Sequence, residues 1–135
     1  MFITKECDYA VRVVRALGGG EKLSVPEICR QENITVPFAY KILKKLQEAG
    51  IVKGHRGVQG GYTIKIPASE LTLLKVYNAI DPNMFVIDCL NPEKQCERNG
   101  PNDGPCLVHR ELAEIQQEFL ALLERKSLAQ ILAGE

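Results

Sequence analysis

The segment between Ser24 and Gly50 constrains the fold more than any other part of this chain. Ser24-Val25-Pro26-Glu27 is a capping box with a proline in the first turn, which predicts a short helix over about 25–31. Asn33 follows as a turn residue, and Thr35 caps a second helix that ends at Gly50. Two short helices joined by a tight turn are typical of the helix-turn-helix.

A glycine-rich hairpin is predicted directly after these two helices. Residues 51–53 and 62–66 alternate apolar and polar side chains, as strands do, and the loop 54–61 contains four glycines. A mobile surface loop would have a similar composition, but the position after a helix-turn-helix favours a wing. The glycines allow close approach to a phosphate strand, and Arg56 at the tip can enter a minor groove.

Caps and apolar periodicity predict further helices on both sides of this unit. Thr4 caps a first helix to about Leu17, Thr72 caps one to about Ile80, and Ser127 starts a short terminal helix. A longer helix carries apolar side chains at alternating steps of four and three, namely Val108, Leu112, Ile115, Phe119 and Leu122. These are the a and d positions of a short coiled-coil seam. We expect this seam to join two copies of the chain as a homodimer, and the alternative is that the helix packs on its own domain.

The sequence therefore predicts a mainly α protein with a small β-hairpin wing: a winged helix-turn-helix plus a long C-terminal dimerisation helix. We divide the chain into a DNA-binding domain (1–80), a cysteine-containing loop (81–108), and the dimerisation and terminal helices (109–135).

Positive charge is concentrated in the first half of the chain. Residues 1–66 contain 11 Lys and Arg against 6 Asp and Glu, whereas residues 67–135 contain 6 against 11. A solvated lysine-rich face would explain the charge alone, but a local basic field also attracts a polyanion such as double-stranded DNA. The N-terminus has no signal-peptide pattern and no apolar run is long enough to span a membrane, so we expect a cytoplasmic protein. His55 and His109 make no convincing catalytic pair, and no phosphate-binding motif is present, so we expect no enzyme.

Three cysteines and a histidine lie in the loop-like segment: Cys89, Cys96, Cys106 and His109. In a reducing compartment such thiols are more often ligands or redox groups than structural disulfides. Their spacing lacks the close cysteine pair usual in structural zinc sites, whereas an iron–sulphur cluster can be reached from a wider loop. Zinc and a metal-free thiol–disulfide switch stay open as alternatives. Cys7 and Cys29 fall in predicted helices, where packing is the simpler role.

With these features together the chain resembles the Rrf-two family of bacterial winged-helix regulators. The resemblance covers nearly the whole chain and is carried by Asp8-Tyr9-Ala10-Val11-Arg12, by Ile34-Thr35-Val36-Pro37-Phe38 and by Leu46-Gln47-Glu48-Ala49-Gly50. Its most specific part is the wing motif Arg56-Gly57-x-x-Gly60-Gly61-Tyr62, and the three downstream cysteines add to it.

The resemblance implies a homodimer in which each recognition helix and wing meets half of a roughly palindromic DNA operator. It places Pro37, Tyr40 and Lys41 towards the bases, Lys44 and Lys45 nearer the phosphates, and Arg56 in the minor groove. The full set of expected DNA-binding residues is Thr35, Pro37, Phe38, Tyr40, Lys41, Lys44, Lys45, Arg56, Gln59, Gly60 and Tyr62.

The resemblance also implies that Cys89, Cys96 and Cys106 hold an iron–sulphur cluster, of the 2Fe-2S or the 4Fe-4S type. Asp8, supplied from the other subunit, and His109 are alternative fourth ligands, and the sequence around Asp8 favours the aspartate. The expected function is a transcriptional regulator, a repressor, that senses iron, redox state or nitric oxide through the cluster. The alternative is a cluster-free winged-helix regulator that senses by thiol oxidation or through a protein partner.

Overall fold

The computed structural model describes residues 3–94, 96, 98 and 105–135, and these form six α-helices, one hairpin and one short 3₁₀ turn. The elements in chain order are α1 (Lys5–Leu17), α2 (Val25–Glu32), α3 (Val36–Glu48), β1 (Val52–His55), β2 (Gly61–Ile64), α4 (Leu73–Ile80), the 3₁₀ turn (Asp88–Leu90), α5 (Leu107–Glu124) and α6 (Leu128–Leu132). The predicted mainly α architecture with a hairpin wing is confirmed. No helix within the described ranges is long and apolar enough to cross a membrane.

The helix-turn-helix is bounded by the capping groups that the sequence indicates. The Ser24 hydroxyl accepts a hydrogen bond from the Glu27 amide at 3.3 Å, and the Glu27 carboxylate accepts one from the Ser24 amide at 2.7 Å. Asn33 ends α2 in the left-handed region at φ 53°, which lets the chain turn into α3. Gly50 leaves α3 at φ 75°, as expected for a glycine just after a helix.

Two local expectations need correction. Thr35 occupies the position before α3, as predicted, but its hydroxyl makes no capping hydrogen bond, and a proline lies in the first turn of the helix. The strands cover Val52–His55 and Gly61–Ile64, rather than 51–53 and 62–66. In the antiparallel register Val52 pairs with Ile64 and His55 pairs with Gly61, so both strands extend to these residues. Strand β2 also pairs with the chain before α2, where the Tyr62 amide donates to the Leu23 carbonyl at 2.8 Å.

One hydrophobic core unites the helices of the first eighty residues with the chain's C-terminus. Its largest fully buried side chains come from α1, α2, α3, α4 and the short terminal helix, including Leu17, Ile28, Leu43, Leu46, Val76 and Leu128. The Leu128 amide donates to the Leu71 carbonyl at 2.8 Å, which returns α6 to the start of α4. The recognition helix is therefore held rigidly from behind, and its other side faces solvent.

The long helix α5 has 18 residues and spans about 27 Å at 1.5 Å per residue. It begins at Leu107, two residues before the predicted boundary at 109. Gln116 on one side is buried against the domain, whereas Val108, Ile115 and Leu122 on another side are 66%, 44% and 60% exposed. These three lie seven residues apart, so the a positions of the predicted seam form an uncovered apolar face.

Candidate DNA interface and cysteine loop

Helix α3 presents one apolar side to the core and one side to solvent. Ala39, Ile42, Leu43 and Leu46 are buried, as the 3.6-residue period of a helix requires. The exposed side carries six of the residues predicted to bind DNA: Thr35, Pro37, Phe38, Tyr40, Lys41 and Lys44. Lys45, predicted to lie near a phosphate, is only partly exposed.

The hairpin lies beside α3 and encloses a cleft with it. The cleft has a volume of about 450 Å³ and is lined by Tyr40 and Gln47 of α3, by Arg56 and Tyr62 of the hairpin, and by Ser24 before α2. Arg56 and Gln59 at the tip are exposed. The structure thus brings Tyr40 of α3 together with Arg56, Gly60 and Tyr62 of the hairpin around one cleft.

Gly60 and Gly61 make the close backbone approach at the base of the wing possible. A Cβ on Gly60 would lie 2.6 Å from the His55 carbonyl oxygen, and one on Gly61 would lie 2.4 Å from that of Leu23. Both contacts are with backbone, which cannot move aside as a flexible side chain can. Only glycine therefore fits at these two positions of the predicted wing motif.

Glu6 in the first turn of α1 contacts this face, which the sequence did not indicate. Its carboxylate accepts hydrogen bonds from the ammonium groups of Lys41 at 2.6 Å and Lys45 at 2.9 Å. The hydrogen bond from Lys41, and then that from Lys45, lowers the pKa of Glu6, so the carboxylate is ionised at neutral pH. The contact joins residues 35 and 39 positions apart, and no local sequence pattern predicts it.

Asp8, a predicted cluster ligand, is exposed and forms an ion pair with Arg12 at 3.0 Å. The Arg12 guanidinium also donates to the Glu32 carbonyl at 3.1 Å, at the end of α2. Arg12 therefore connects Asp8 to the turn of the helix-turn-helix. Glu32 further pairs with Arg15, whose pKa is raised by that hydrogen bond.

The three predicted cluster cysteines are all half-buried, and each has a different local setting. Cys89 lies in the 3₁₀ turn, Cys96 lies in the loop, and Cys106 occupies the position before α5. The Cys106 sulfur accepts a hydrogen bond from the His109 amide at 3.5 Å. Cys29, by contrast, lies in α2, and burial raises the pKa of its thiol, which fits a packing role.

The donors of the loop fit a thiolate-bound metal group in their chemistry, since thiolates and an imidazole are ligands of iron. His109 Nδ1 is buried and has no hydrogen-bond partner among the described residues, which leaves this nitrogen as a candidate ligand. No three His, Cys, Asp or Glu side chains converge as a metal site within the part of the chain that is described. The residues at 95, 97 and 99–104 of the predicted loop lie outside that part.

Gln116 of α5 anchors the start of the cysteine loop. Its side-chain amide donates to the Met84 carbonyl at 2.6 Å and accepts from the Val86 amide at 2.7 Å. Val86 is three residues before Cys89, so the loop and α5 are connected through this one side chain. The sequence contains a signal for this contact, because Gln116 is a polar residue that lies four positions from both Leu112 and Leu120, on the apolar side of the helix.

We expect Gln116→Leu to lower the free energy of unfolding by about 2 kcal/mol, because two backbone groups lose their partner. The Cys89 thiol should also react faster with an alkylating reagent, because the segment before it is released. Denaturant unfolding and mass spectrometry of the labelled protein measure the two effects. Gln117→Leu is the matched control at an exposed position of the same helix, and equal behaviour of the two variants would contradict the anchoring role.

An exposed helix of a helix-turn-helix beside a glycine-rich hairpin defines the class of winged-helix DNA-binding proteins. Comparison with known families narrows the class. The model of the Rrf2 family, described as an iron-dependent transcriptional regulator, matches residues 3–134. The chain belongs to the Rrf2 family and is a DNA-binding transcriptional regulator, as the resemblance predicted.

Relatives and solved structures agree with this assignment. The chain is 40% identical over 127 residues to protein aau3 of Rhizobium meliloti, covering 92% of this chain and 80% of that one. It is 26% identical over 138 residues to the transcriptional repressor NsrR of Streptomyces coelicolor, covering 99% and 90%. The fold is similar to T. potens IscR (TM-score 0.70, 17% identity, covering 97% and 85%) and to an oxidized form of Staphylococcus aureus CymR (0.69, 18%, 95% and 93%).

Proposed function

We propose that this regulator is a repressor that binds a double-stranded DNA operator with α3 and the wing. The observation that carries the proposal is the exposed side of α3, which bears Tyr40, Lys41 and Lys44, together with the cleft that Tyr40 and Arg56 of the wing both line. Helix α3 would enter the major groove, with Pro37, Tyr40 and Lys41 towards the bases and Lys44 towards phosphate. Arg56 would enter the adjacent minor groove. Such a protein would work in the cytoplasm, where the DNA is.

We further propose a homodimer joined along α5. The exposed Val108, Ile115 and Leu122 recur at the heptad spacing and offer an apolar face to a second copy of the chain. Two recognition helices would then meet half-sites about 34 Å apart, one helical turn of DNA. Each subunit alone makes half of the contacts, so the dimer multiplies the affinity of a single unit.

The proposed sensor is the cysteine loop, with Cys89, Cys96 and Cys106 holding an iron–sulphur cluster. A bound cluster would supply redox-active, labile iron to the loop. The buried Nδ1 of His109 supports this histidine as the fourth ligand within the chain. Asp8 of the partner subunit stays the alternative, and the ligand role would require it to exchange its Arg12 ion pair.

Contacts within the chain connect the proposed cluster ligands to the elements that are proposed to dimerise and to bind DNA. Gln116 connects the segment before Cys89 to α5, which carries the proposed dimer face. Arg12 connects Asp8 to the carbonyl at the end of α2. A change at the loop would therefore alter the distance between two recognition helices, and both must engage for tight binding.

A cluster-free regulator that senses by thiol oxidation is the second candidate. It is favoured by one observation: within the described residues the three cysteines do not converge with a further donor. The likeness to a CymR crystallised in an oxidized form is consistent with it.

The test is purification of the full chain without oxygen, followed by iron and sulphide analysis and selection of bound duplexes from a random pool. We expect iron and sulphide in similar amounts and enrichment of a roughly palindromic sequence. Cys106→Ala should lose the iron, whereas Cys29→Ala, the matched control within α2, should keep it. A protein without iron would contradict the cluster and leave the thiol switch. Failure to enrich any sequence would contradict sequence-specific DNA binding by this chain.

A further inference from the structure

Glu6 contacts the recognition helix on the side that bears its lysines. Both oxygens of its carboxylate are engaged, one by Lys41 at 2.6 Å and the other by Lys45 at 2.9 Å. The contact joins the first turn of α1 to the middle of α3. An acidic side chain is thus held among the groups proposed to contact DNA, where it opposes a polyanion.

The two lysines differ in what else they contact. Lys45 is 33% exposed and also donates to the Ile80 carbonyl at 3.5 Å, so it ties α1, α3 and the end of α4 together. Lys41 is 56% exposed and lies on the solvent side of α3 beside Tyr40. Lys41 is therefore the one that can exchange a carboxylate for a phosphate without disturbing the core.

We propose that Glu6 is an affinity-determining residue of the DNA interface. In a non-specific complex, where Lys41 has no matching base to read, its carboxylate competes with DNA phosphate for Lys41 and weakens binding. The inference rests on the proposed DNA-binding role of α3 and goes beyond it. A carboxylate between two ammonium groups leaves one net positive charge where the lysines alone would have two.

The effect of Glu6 differs between non-specific and specific DNA binding. Non-specific binding is almost entirely electrostatic, so a neutralised charge reduces it directly. Contacts from Tyr40 and Pro37 to base edges do not depend on that charge. Glu6 therefore raises the ratio of specific to non-specific affinity, which is the quantity that matters when many competing sites are present.

The test compares wild type with Glu6→Gln on a random-sequence duplex of about 30 base pairs, roughly three helical turns. Fluorescence anisotropy is followed between about 50 and 200 mM KCl. We expect the variant to bind about fivefold more tightly at the lowest salt, because one opposing charge is removed. The slope of log affinity against log salt should steepen by about 0.9, the value for one further phosphate contact.

Two controls separate a local contact from total charge. Glu70→Gln removes the same charge before α4 and should leave binding unchanged, and Glu6→Asp should stay close to wild type. Lys41→Gln should cost more affinity in the Glu6→Gln background than in wild type. Glu6→Ala gives the same test if circular dichroism shows that the glutamine variant is unfolded.

The outcomes are distinct. If wild type binds the duplex and Glu6→Gln binds equally or more weakly, the inference is wrong. It is also wrong if the effects of the Lys41 and Glu6 substitutions on the free energy of DNA binding are additive. If wild type binds no duplex at low salt, the DNA-binding role of α3 is itself wrong, and this inference fails with it.

Discussion

Ile115→Glu is expected to convert the protein to a monomer and to lower its affinity for the selected operator by at least about 100-fold. Ile115 is the middle one of three exposed apolar residues at heptad spacing on α5. A carboxylate there would be buried without a partner in the proposed dimer, and its desolvation costs several kcal/mol. Each half of the operator would then be bound independently.

Sedimentation velocity measures the oligomeric state, and anisotropy with the selected duplex measures affinity. Gln117→Glu adds a negative charge two residues further along α5, at an exposed position outside the seam. It should remain dimeric and bind normally. A monomeric wild type, or an Ile115→Glu variant that stays dimeric, would show that α5 serves another purpose.

Gly61→Ala is expected to destabilise the protein by about 3 kcal/mol and to abolish tight operator binding. The new Cβ would lie 2.4 Å from the Leu23 carbonyl oxygen and 2.8 Å from its carbonyl carbon. The bridge between Leu23 and Tyr62 must then open, and this bridge fixes the wing against the start of α2.

Gly19→Ala is the matched control for that change, since a Cβ there meets nothing within 4 Å. Thermal unfolding and anisotropy should show wild-type behaviour for Gly19→Ala and large losses for Gly61→Ala. Equal stability of the two variants would mean that the wing tolerates displacement from Leu23.

The helices were predictable because their signals are local. The Ser24 and Ser127 capping boxes, the Thr4 and Thr72 caps and the glycine after α3 lie within a few residues of the helix ends that they determine. A cap satisfies backbone groups of the adjacent turn, so it can be recognised from spacing alone.

The features that the sequence did not reveal depend on contacts between distant residues. Tyr62 of β2 pairs with Leu23 before α2, a contact between residues far apart in the sequence. Glu6 contacts Lys41 and Lys45 across the core, and only the packing of α1 on α3 brings them together. Charge counts predicted a basic face but could not show that part of its charge is neutralised.

The cysteine loop is a second region that the sequence predicts only in part. Residue types and the resemblance name Cys89, Cys96, Cys106, His109 and Asp8 as donors, but spacing does not determine which of them converge. The contacts add two facts, the buried His109 Nδ1 without a partner among the described residues and the Asp8–Arg12 ion pair. A ligand set assembled from these donors would depend on long-range geometry and, for Asp8, on a second subunit, and neither is encoded in a local motif.

The affinity of the anaerobically purified protein for its selected operator, before and after iron is removed by a chelator, tests the central claim most directly. We predict that the two affinities differ by at least about tenfold, the scale of a typical coupling free energy. Cys106→Ala should show no change under the same treatment. Equal affinity of iron-loaded and iron-free wild type would contradict the claim that the cysteine loop controls DNA binding.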